Sequence, residues 1–257
     1  MQVSMISKAL SLLSLIGQAN QPLTFSELVT QSDLSKSTVH RILGILMDEE
    51  MVQCHSRMKC YLLGQRAFDI LRQAYGGYDL QSLAVDGMMQ LQKDTGHNTS
   101  IAVIDGDFAV VLRAFDANKS FGGYNRPGLR EPLHVCAAGK ALVAHMPPPL
   151  FEAKFGNYEF LRRTPQTLTT LDGFRNDLAG VRRRGYATCN REEYEYVFGI
   201  AAPIFNFVGE VIAAVNLWNT VDETDMSGLE EHAAKLTTVT QEISRLIGGG
   251  AVLRGSW

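Results

Sequence analysis

The helical spacing of apolar residues at the start of the chain most constrains the fold. Apolar residues recur every three or four positions over about 3–16, which predicts an amphipathic helix. Thr24 stands three residues before Glu27, a reciprocal capping pattern that starts a short second helix. Ser35 can cap a third helix that extends to about Glu50. The sequence therefore predicts three helices packed into a short N-terminal segment.

A β-hairpin is predicted directly after the third helix. Residues 51–55 and 59–63 have the character of two strands, and residues 56–58 have the character of a turn. Three helices followed by a hairpin are the layout of a winged helix-turn-helix domain. We predict such a domain over 1–66.

A pair of glycines, Gly76 and Gly77, suggests a domain boundary. An amphipathic helix over 65–75 precedes them, and Asp79 can cap the next helix, which ends near Thr95. The predicted divisions are a linker helix at 67–78, a second domain at 79–248 and a flexible tail at 249–257.

The second domain combines strands and helices. Two long apolar runs, 197–207 and 211–218, are typical of paired central strands. A hairpin is predicted at 97–115 around the turn Asp105-Gly106-Asp107. The other predicted elements are helices at 136–146, 170–184 and 225–247. This pattern indicates an α+β fold of the kind found in sensor domains.

Composition and charge limit the classes of protein to which the chain can belong. A hydrophobic content of 46% with 20% charged residues is globular, and a net charge of −3 argues against a surface coated in positive charge. The cysteines are scattered, no cleavable signal comes first, and no apolar segment reaches the ~18 residues of a membrane-spanning helix. We therefore expect a cytoplasmic location. No cofactor and no metal are predicted, because Cys54, His55 and Cys60 lack a fourth donor nearby.

The polar start of the third helix suggests contact with double-stranded DNA. In a helix-turn-helix this end enters the major groove. The predicted contacts are phosphate for Ser35, Ser37 and Thr38, base edges for Lys36, His40 and Arg41, and phosphate or minor groove for Arg57 and Lys59 of the wing. An ordinary solvated helix face is the alternative, because six Lys/Arg against five Asp/Glu give residues 1–66 a charge of only +1.

Several stretches together resemble one protein family. "SMISKALSLLSLI", "TFSELVTQSDLSKSTVHRILGILMDEEMV" and "YLLG" resemble the winged-helix half of the isocitrate lyase regulator (IclR) family of bacterial transcription factors. "EPLHVCAAGKALVAHM" and "RRRGYATCNREEYEYVFGIAAPIFNFVGEVIAAVNL" resemble its effector-binding half. The resemblance implies a homodimer or homotetramer on a palindromic operator, and a GAF-like C-terminal domain that takes a small organic effector.

The chain departs from the family pattern at three places. Leu62 stands where the wing motif usually has an arginine. The family's "D-x-E-E" loop appears here as Asn190-Arg191-Glu192-Glu193, whereas an ungapped count places Cys189 in the column of its acid. Gly199 replaces a frequent cysteine. The last two changes fall where family members contact their effectors, so the ligand of a relative cannot be transferred to this chain.

The predicted effector site lies at the start of the 136–146 helix. Its small residues let a ligand anion approach the helix amides, and polar or aromatic side chains form the walls. For Cys136 and Trp218, core packing is the alternative role. The predicted contact residues are His134, Cys136, Ala137, Ala138, Cys189, Asn190, Gly199, Asn216 and Trp218.

Three classes of function can be compared with the sequence. A Cys136–His134 nucleophile pair would make a Cys-dependent hydrolase, but no orienting carboxylate is evident and no catalytic residue is predicted. A metabolite-binding or dimerisation protein that has lost DNA binding is favoured by Leu62 and the weak charge. The favoured interpretation is a non-enzymatic, ligand-responsive regulator whose effector is expected to be a carboxylate or aromatic acid.

Overall fold

The computed structural model describes residues 4–19, 21–76, 80–117 and 126–248. The chain divides into two compact units, Met1–Tyr78 and Asp79–Trp257. The predicted cap at Asp79, the second glycine of the proposed boundary and the predicted tail at 249–257 lie outside the described residues. No helix in the described ranges is long and apolar enough to cross a membrane.

The first unit is a winged helix-turn-helix, as predicted. Its elements are α1 Met5–Gln18, β1 Leu23–Thr24, α2 Phe25–Ser32, α3 Lys36–Asp48, β2 Val52–His55, β3 Cys60–Leu63 and α4 Gln65–Gly76. The three strands form an antiparallel sheet in the order β1-β3-β2, and β2 with β3 is the predicted hairpin.

Local capping and one small core hold these helices. Thr24 and Glu27 form the predicted capping box at the start of α2. Asp33 ends α2 in the left-handed conformation with φ of 53°, which turns the chain towards α3. The apolar faces of the three helices bury Leu12, Leu28 and Ile42. The opposite face of α3 is thereby left towards solvent.

The second unit has the predicted α+β architecture. Its elements are α5 Leu80–Thr95, β4 Asn98–Asp105, β5 Phe108–Phe115, β6 Arg130–Pro132, α6 Ala137–Val143, α7 Pro148–Phe155, α8 Leu171–Arg184, β7 Ala187–Asn190, β8 Val197–Phe205, β9 Val211–Thr220, α9 Met226–Glu230 and α10 Ala233–Leu246. The six strands form one antiparallel sheet in the order β6-β5-β4-β9-β8-β7.

Strand β8 shows how the sheet is covered. Side chains of consecutive strand residues point to opposite faces, and every residue of β8 from Val197 to Ile204 is buried. Helices therefore cover both faces of the sheet at this strand. Helix α6 packs against β8 and β9, while α10 packs against β8 and against α5.

Two elements differ from the sequence-based expectation. The run Pro147-Pro148-Pro149 ends the predicted 136–146 helix, but it also begins α7, because proline is tolerated in the first turn of a helix. The predicted helix over 225–247 is two helices, α9 and α10, with His232 between them at a ψ of 0°.

Candidate functional site

The start of α3 presents hydroxyl groups to solvent. Ser35 caps the helix, and its Oγ accepts a hydrogen bond from the Thr38 backbone N–H at 3.3 Å. The same Oγ lies 3.1 Å from Ser37 Oγ. Val39 and Ile42, on the other side of the helix, are buried in the core. The hydroxyl cluster therefore stands on the solvent side of the helix N-terminus.

Three longer side chains extend this polar surface. Lys36, His40 and Arg41 are all exposed. Arg41 Nη2 makes a weak contact with Met5 Sδ at 3.6 Å, and the His40 ring packs edge-on towards Phe25 with ring centroids 6.3 Å apart. Lys36 and Arg41 form no ion pair within the described residues. Their charges are thus available to an external anion.

The wing carries the other two predicted cations. Arg57 and Lys59 are exposed in the turn between β2 and β3. Lys59 adopts the left-handed conformation with φ of 52°, and its N–H donates to the His55 carbonyl at 2.9 Å. We call the polar start of α3, residues 35–41, together with these two cations the cationic surface.

A small cavity in the second unit brings together most of the predicted effector residues. It lies between the start of α6 and the central strands, and its volume is about 20 Å³. The lining residues are Ser100, Val111, Leu129, Glu131, Cys136, Ala137, Cys189, Glu193, Val197, Gly199, Asn216 and Trp218. We call this space the effector cavity.

Three predicted contact residues do not line the effector cavity. The ring nitrogens of His134 are engaged elsewhere, Nδ1 with Tyr158 Oη and Nε2 with the Leu161 carbonyl, both at 3.0 Å. Because Nε2 faces a carbonyl, it carries the proton and Nδ1 accepts. Ala138 is buried in the surrounding core, and Asn190 is exposed at the end of β7. The structure thus does not bring these three residues to the cavity, and their contact with an effector stays a prediction.

Gly139 is small for a reason other than ligand access. A Cβ at Gly139 would lie 2.4 Å from the Leu133 carbonyl oxygen, so the backbone itself requires glycine. The Gly139 N–H also donates to Cys136 Sγ at 3.2 Å. The close approach of the Leu133 backbone is therefore what requires a glycine here, and access for a ligand anion to the helix amides is not.

Gly199 leaves space beside Asn216, and the side chain of Asn216 has a hydrogen-bond acceptor that is not used. A Cβ added at Gly199 would meet Asn216 Oδ1 at 3.5 Å and Trp218 Cβ at 3.6 Å, which are ordinary contacts. Asn216 Oδ1 is buried and has no hydrogen-bond partner among the described residues. A buried acceptor without a donor costs free energy, so a ligand that donates a hydrogen bond would relieve it.

Two carboxyl groups in the cavity were missed by the sequence analysis. Glu131, at the end of the sheet in β6, and Glu193, in the loop after β7, are both buried and hydrogen-bonded to each other. Burial raises the pKa of both carboxyls, and the neighbouring Glu131 raises that of Glu193 further. The hydrogen bond to Glu131 raises the pKa of Glu193 and the same bond lowers that of Glu131, so we infer that Glu193 is the donor of the pair.

The two cysteines of the cavity are thiols. Burial raises the pKa of Cys136 well above its usual range and that of Cys189 to about 12. Cys189 Sγ donates to the Val135 carbonyl at 3.2 Å. A nucleophile must be a thiolate, and His134 is held by Tyr158 rather than by Cys136. The Cys136–His134 pair that the hydrolase alternative requires is therefore not formed in this structure.

A buried ion cluster lies behind the cavity wall. The Lys140 side chain has no exposed surface, and its Nζ lies 2.5 Å from Glu192 Oε2 and 3.1 Å from Asp177 Oδ2. Nζ also donates to the Thr188 carbonyl at 3.0 Å. These contacts tie α6 to α8 and to the loop that carries Glu193.

Other lining residues could not be found from local sequence. Ser100 and Val111 enter the cavity through the pairing of β4 with β9 and with β5. Glu193 had a motif signal, because it belongs to the segment Asn190-Arg191-Glu192-Glu193 that resembles the family's "D-x-E-E" loop, whereas the only local signal for Glu131 was a carboxyl next to Pro132.

Comparison with known proteins gives one family for both units. The description "Bacterial transcriptional regulator IclR C-terminal" matches residues 73–245, and "IclR helix-turn-helix domain" matches residues 5–54. The HTH-type transcriptional regulator BhcR of Paracoccus denitrificans is 30% identical over 212 residues, which cover 82% of this chain and 76% of that protein.

Solved structures share the fold. The repressor BlcR of Agobacterium tumefaciens has a TM-score of 0.69 at 20% identity and covers 95% of this chain and 96% of its own. An IclR homologue from Microbacterium hydrocarbonoxydans, solved in complex with 4-hydroxybenzoate, has a TM-score of 0.58 at 23% identity and covers 95% of this chain and 99% of its own.

The two family models fall on the two units that the fold separates, the helix-turn-helix model within the first and the C-terminal model over most of the second. BhcR, the relative that is 30% identical, is an HTH-type transcriptional regulator. The chain therefore belongs to the IclR family and is a ligand-responsive, DNA-binding transcriptional regulator.

Proposed function

We propose that the cationic surface binds a palindromic DNA operator, and that the chain does so in the cytoplasm as a homodimer or homotetramer. The observation that carries this proposal is the exposed run from Ser35 to Arg41 at the start of α3, whose cations have no carboxylate partner within the described residues. Hydroxyls and helix amides suit phosphate, and longer cations suit base edges.

The competing function is metabolite binding by a protein that no longer contacts DNA. Leu62, at the strand of the wing where the family pattern has a cation, and the charge of +1 over 1–66 favour it. Binding to a DNA fragment from upstream of the protein's own gene discriminates the two. Each phosphate neutralised contributes a slope of about −0.9 to a plot of log affinity against log salt. We expect a steep negative slope, and a flat profile would support the competitor.

The proposed effector is a small organic acid that also carries a hydroxyl group. It would occupy the effector cavity, with the hydroxyl donating to Asn216 Oδ1 and the acid group beside Glu131 and Glu193. A hydroxylated aromatic acid is bound by the Microbacterium relative, which makes 4-hydroxybenzoate a reasonable first probe.

The size of the effector cavity makes binding a population shift. Its volume of about 20 Å³ is far below the roughly 300 Å³ at the lower end of ligand pockets. An acid can enter only when lining side chains move apart, so the ligand selects an opened arrangement. If that arrangement also differs in operator affinity, effector and operator affect each other by the same factor. Helix α4, which precedes the second unit in sequence, is the proposed mechanical link.

The acid pair predicts a pH dependence for effector binding. No cation lines the effector cavity among the described residues, so a carboxylate is accepted only while Glu131 and Glu193 hold their protons. Burial raises the pKa of both groups, and their protons are lost as pH rises through those raised values. One linked proton weakens binding up to about tenfold per pH unit. Titration with 4-hydroxybenzoate from about pH 6 to about pH 8 should show weaker binding at high pH.

The Glu193→Gln variant provides the control. Its amide cannot ionise but keeps the shape and a donor, so binding of 4-hydroxybenzoate should lose the part of its pH dependence that comes from Glu193 and keep only the part that comes from Glu131. The neutral analogue 4-hydroxybenzamide should bind the wild type with little pH dependence. An unchanged slope in the variant would rule out the acid pair as the proton donor.

A further inference from the structure

A second cavity opens at the edge of the sheet, where β7 stops short. Strand β7 pairs with β8 only between Phe198 and Ala201. Beyond that point the edge of β8 is met by α10, and the Phe205 N–H donates to Ser244 Oγ at 3.0 Å. The end of α8 approaches from the side where β7 would otherwise continue. This arrangement leaves an open groove, which we call the edge groove.

The edge groove is large enough for a small organic molecule. Its volume is about 290 Å³, close to the lower end of the range of about 300–1,000 Å³ for small-molecule sites. It is lined by Arg182 and Arg184 of α8, by His145 after α6, by Phe205 of β8, and by Gln241 and Ser244 of α10.

The edge groove is separate from the effector cavity. The effector cavity is built around Val197 and Gly199 at the start of β8, whereas the edge groove is built around Pro203 and Phe205 at its end. The six residue steps from Gly199 to Phe205 span roughly 20 Å of strand, and the four steps from Gly199 to Pro203 span roughly 13 Å. A ligand in one site therefore does not reach the other.

Two guanidinium groups give the edge groove its charge. Arg182 donates from Nη1 to the Ala144 carbonyl at 2.7 Å, and Arg184 donates from Nε to the Tyr186 carbonyl at 2.8 Å and from Nη2 to Thr188 Oγ1 at 3.1 Å. Neither forms an ion pair with a carboxylate in the part of the chain that the structure describes. A guanidinium has five donor hydrogens, so both retain donors for a ligand.

An aromatic surface complements these charges. The rings of His145 and Phe205 pack edge to face with centroids 5.1 Å apart, and both line the groove. Burial and the nearby Arg182 lower the pKa of His145, which leaves the imidazole neutral at neutral pH. The groove thus combines unneutralised guanidinium groups with aromatic and hydroxyl-bearing walls.

From this combination we propose that the edge groove is a second ligand site, selective for a small organic anion with a carboxylate head and a flat apolar body. The effector cavity, in contrast, is lined by two carboxyls and by no cation among the described residues. Basic residues at the end of α8 also stabilise the helix dipole and cap neighbouring carbonyls. That role alone predicts no ligand binding, so the two interpretations can be separated.

Titration of the full chain with 4-fluorobenzoate, followed by ¹⁹F NMR, tests the site. A ligand of this size should bind with a dissociation constant on the order of millimolar. Charge-assisted hydrogen bonds to the guanidinium groups favour the anion, so Arg182→Gln with Arg184→Gln should weaken binding at least about tenfold. The neutral analogue 4-fluorobenzamide should bind at least about tenfold more weakly than 4-fluorobenzoate to the wild type.

Two further variants make the test decisive. Arg175→Gln with Arg183→Gln removes two positive charges from α8 at positions that do not line the edge groove, Arg183 being exposed and Arg175 half-buried and paired with Glu152, and it should leave affinity within about twofold. Gln241→Glu places a negative charge on the α10 wall without touching the α8 contacts, and it should also weaken binding. Wild-type affinity in both edge-groove variants, equal binding of 4-fluorobenzamide, or no saturable binding of 4-fluorobenzoate would overturn the proposal.

Discussion

Replacement of Lys140 with methionine is expected to lower the free energy of unfolding by about 3–5 kcal/mol, because it leaves two carboxylates without their cation. The Lys140 side chain is fully buried, with Nζ 2.5 Å from Glu192 Oε2 and 3.1 Å from Asp177 Oδ2. Burial alone lowers the pKa of Lys140, but the two carboxylates outweigh it and the pKa is raised. The lysine is therefore charged in the folded state.

The size of the Lys140→Met effect should depend on pH. Burial already raises the pKa of Glu192 despite the attraction of Lys140. Without the cation that pKa rises further, so the carboxyl can take up a proton at low pH and relieve the unpaired charge. The loss of stability should be smaller near about pH 5 than near about pH 8. Urea denaturation followed by circular dichroism measures both.

Lys154→Met is the matched control for Lys140→Met. Lys154 pairs with Asp107 at 3.1 Å, but the Asp107 side chain is 61% exposed. Removal of such a surface pair should cost no more than about 1 kcal/mol. Adding Glu192→Gln to Lys140→Met should recover part of the lost stability. Equal effects of the Lys140 and Lys154 variants would show that the buried cluster is not what holds α6 in place.

Arg41→Ala should weaken operator binding by about 1–3 kcal/mol, which is roughly fivefold to 150-fold in affinity. Arg41 is exposed, and its contact with Met5 Sδ at 3.6 Å is weak, so the melting temperature should not change. If the guanidinium reads a base, affinity for the operator should fall more than affinity for unrelated DNA. Gel shifts on both fragments measure this ratio.

Lys93→Ala controls for the loss of one positive charge. Lys93 is exposed in the last turn of α5, in the second unit, and lies outside the cationic surface. It should bind the operator like the wild type. Wild-type operator binding by Arg41→Ala would mean that α3 is not the reading helix.

The first unit could be predicted closely because its signals are local. The capping box of Thr24 and Glu27, the Ser35 cap and the apolar spacing of α3 each lie within a few residues of sequence. The bounds of α1, α2 and α3 differ from expectation by only one or two residues where they are described. Local capping and periodicity are thus sufficient to define these helices.

The effector cavity could be predicted only in part, because distant segments build it. Cys136, Gly199, Asn216 and Trp218 came from motif positions, and the structure brings them together. Glu131 and Glu193 are far apart in the sequence and come into contact only in the folded chain. No periodic pattern in the sequence therefore indicates their pairing. For His134, the sequence predicted a place in the wall of the site, whereas in the structure its ring is hydrogen-bonded to Tyr158.

The nearly filled effector cavity has a consequence for how selective such a sensor can be. Because opening requires free energy, only a molecule that returns that energy through well-matched contacts occupies the site. If the open arrangement is about 1% populated, the apparent affinity of every candidate metabolite is reduced by about a hundredfold. Abundant poor matches then remain below the threshold for a response, so the regulator does not respond to the background of cellular metabolites.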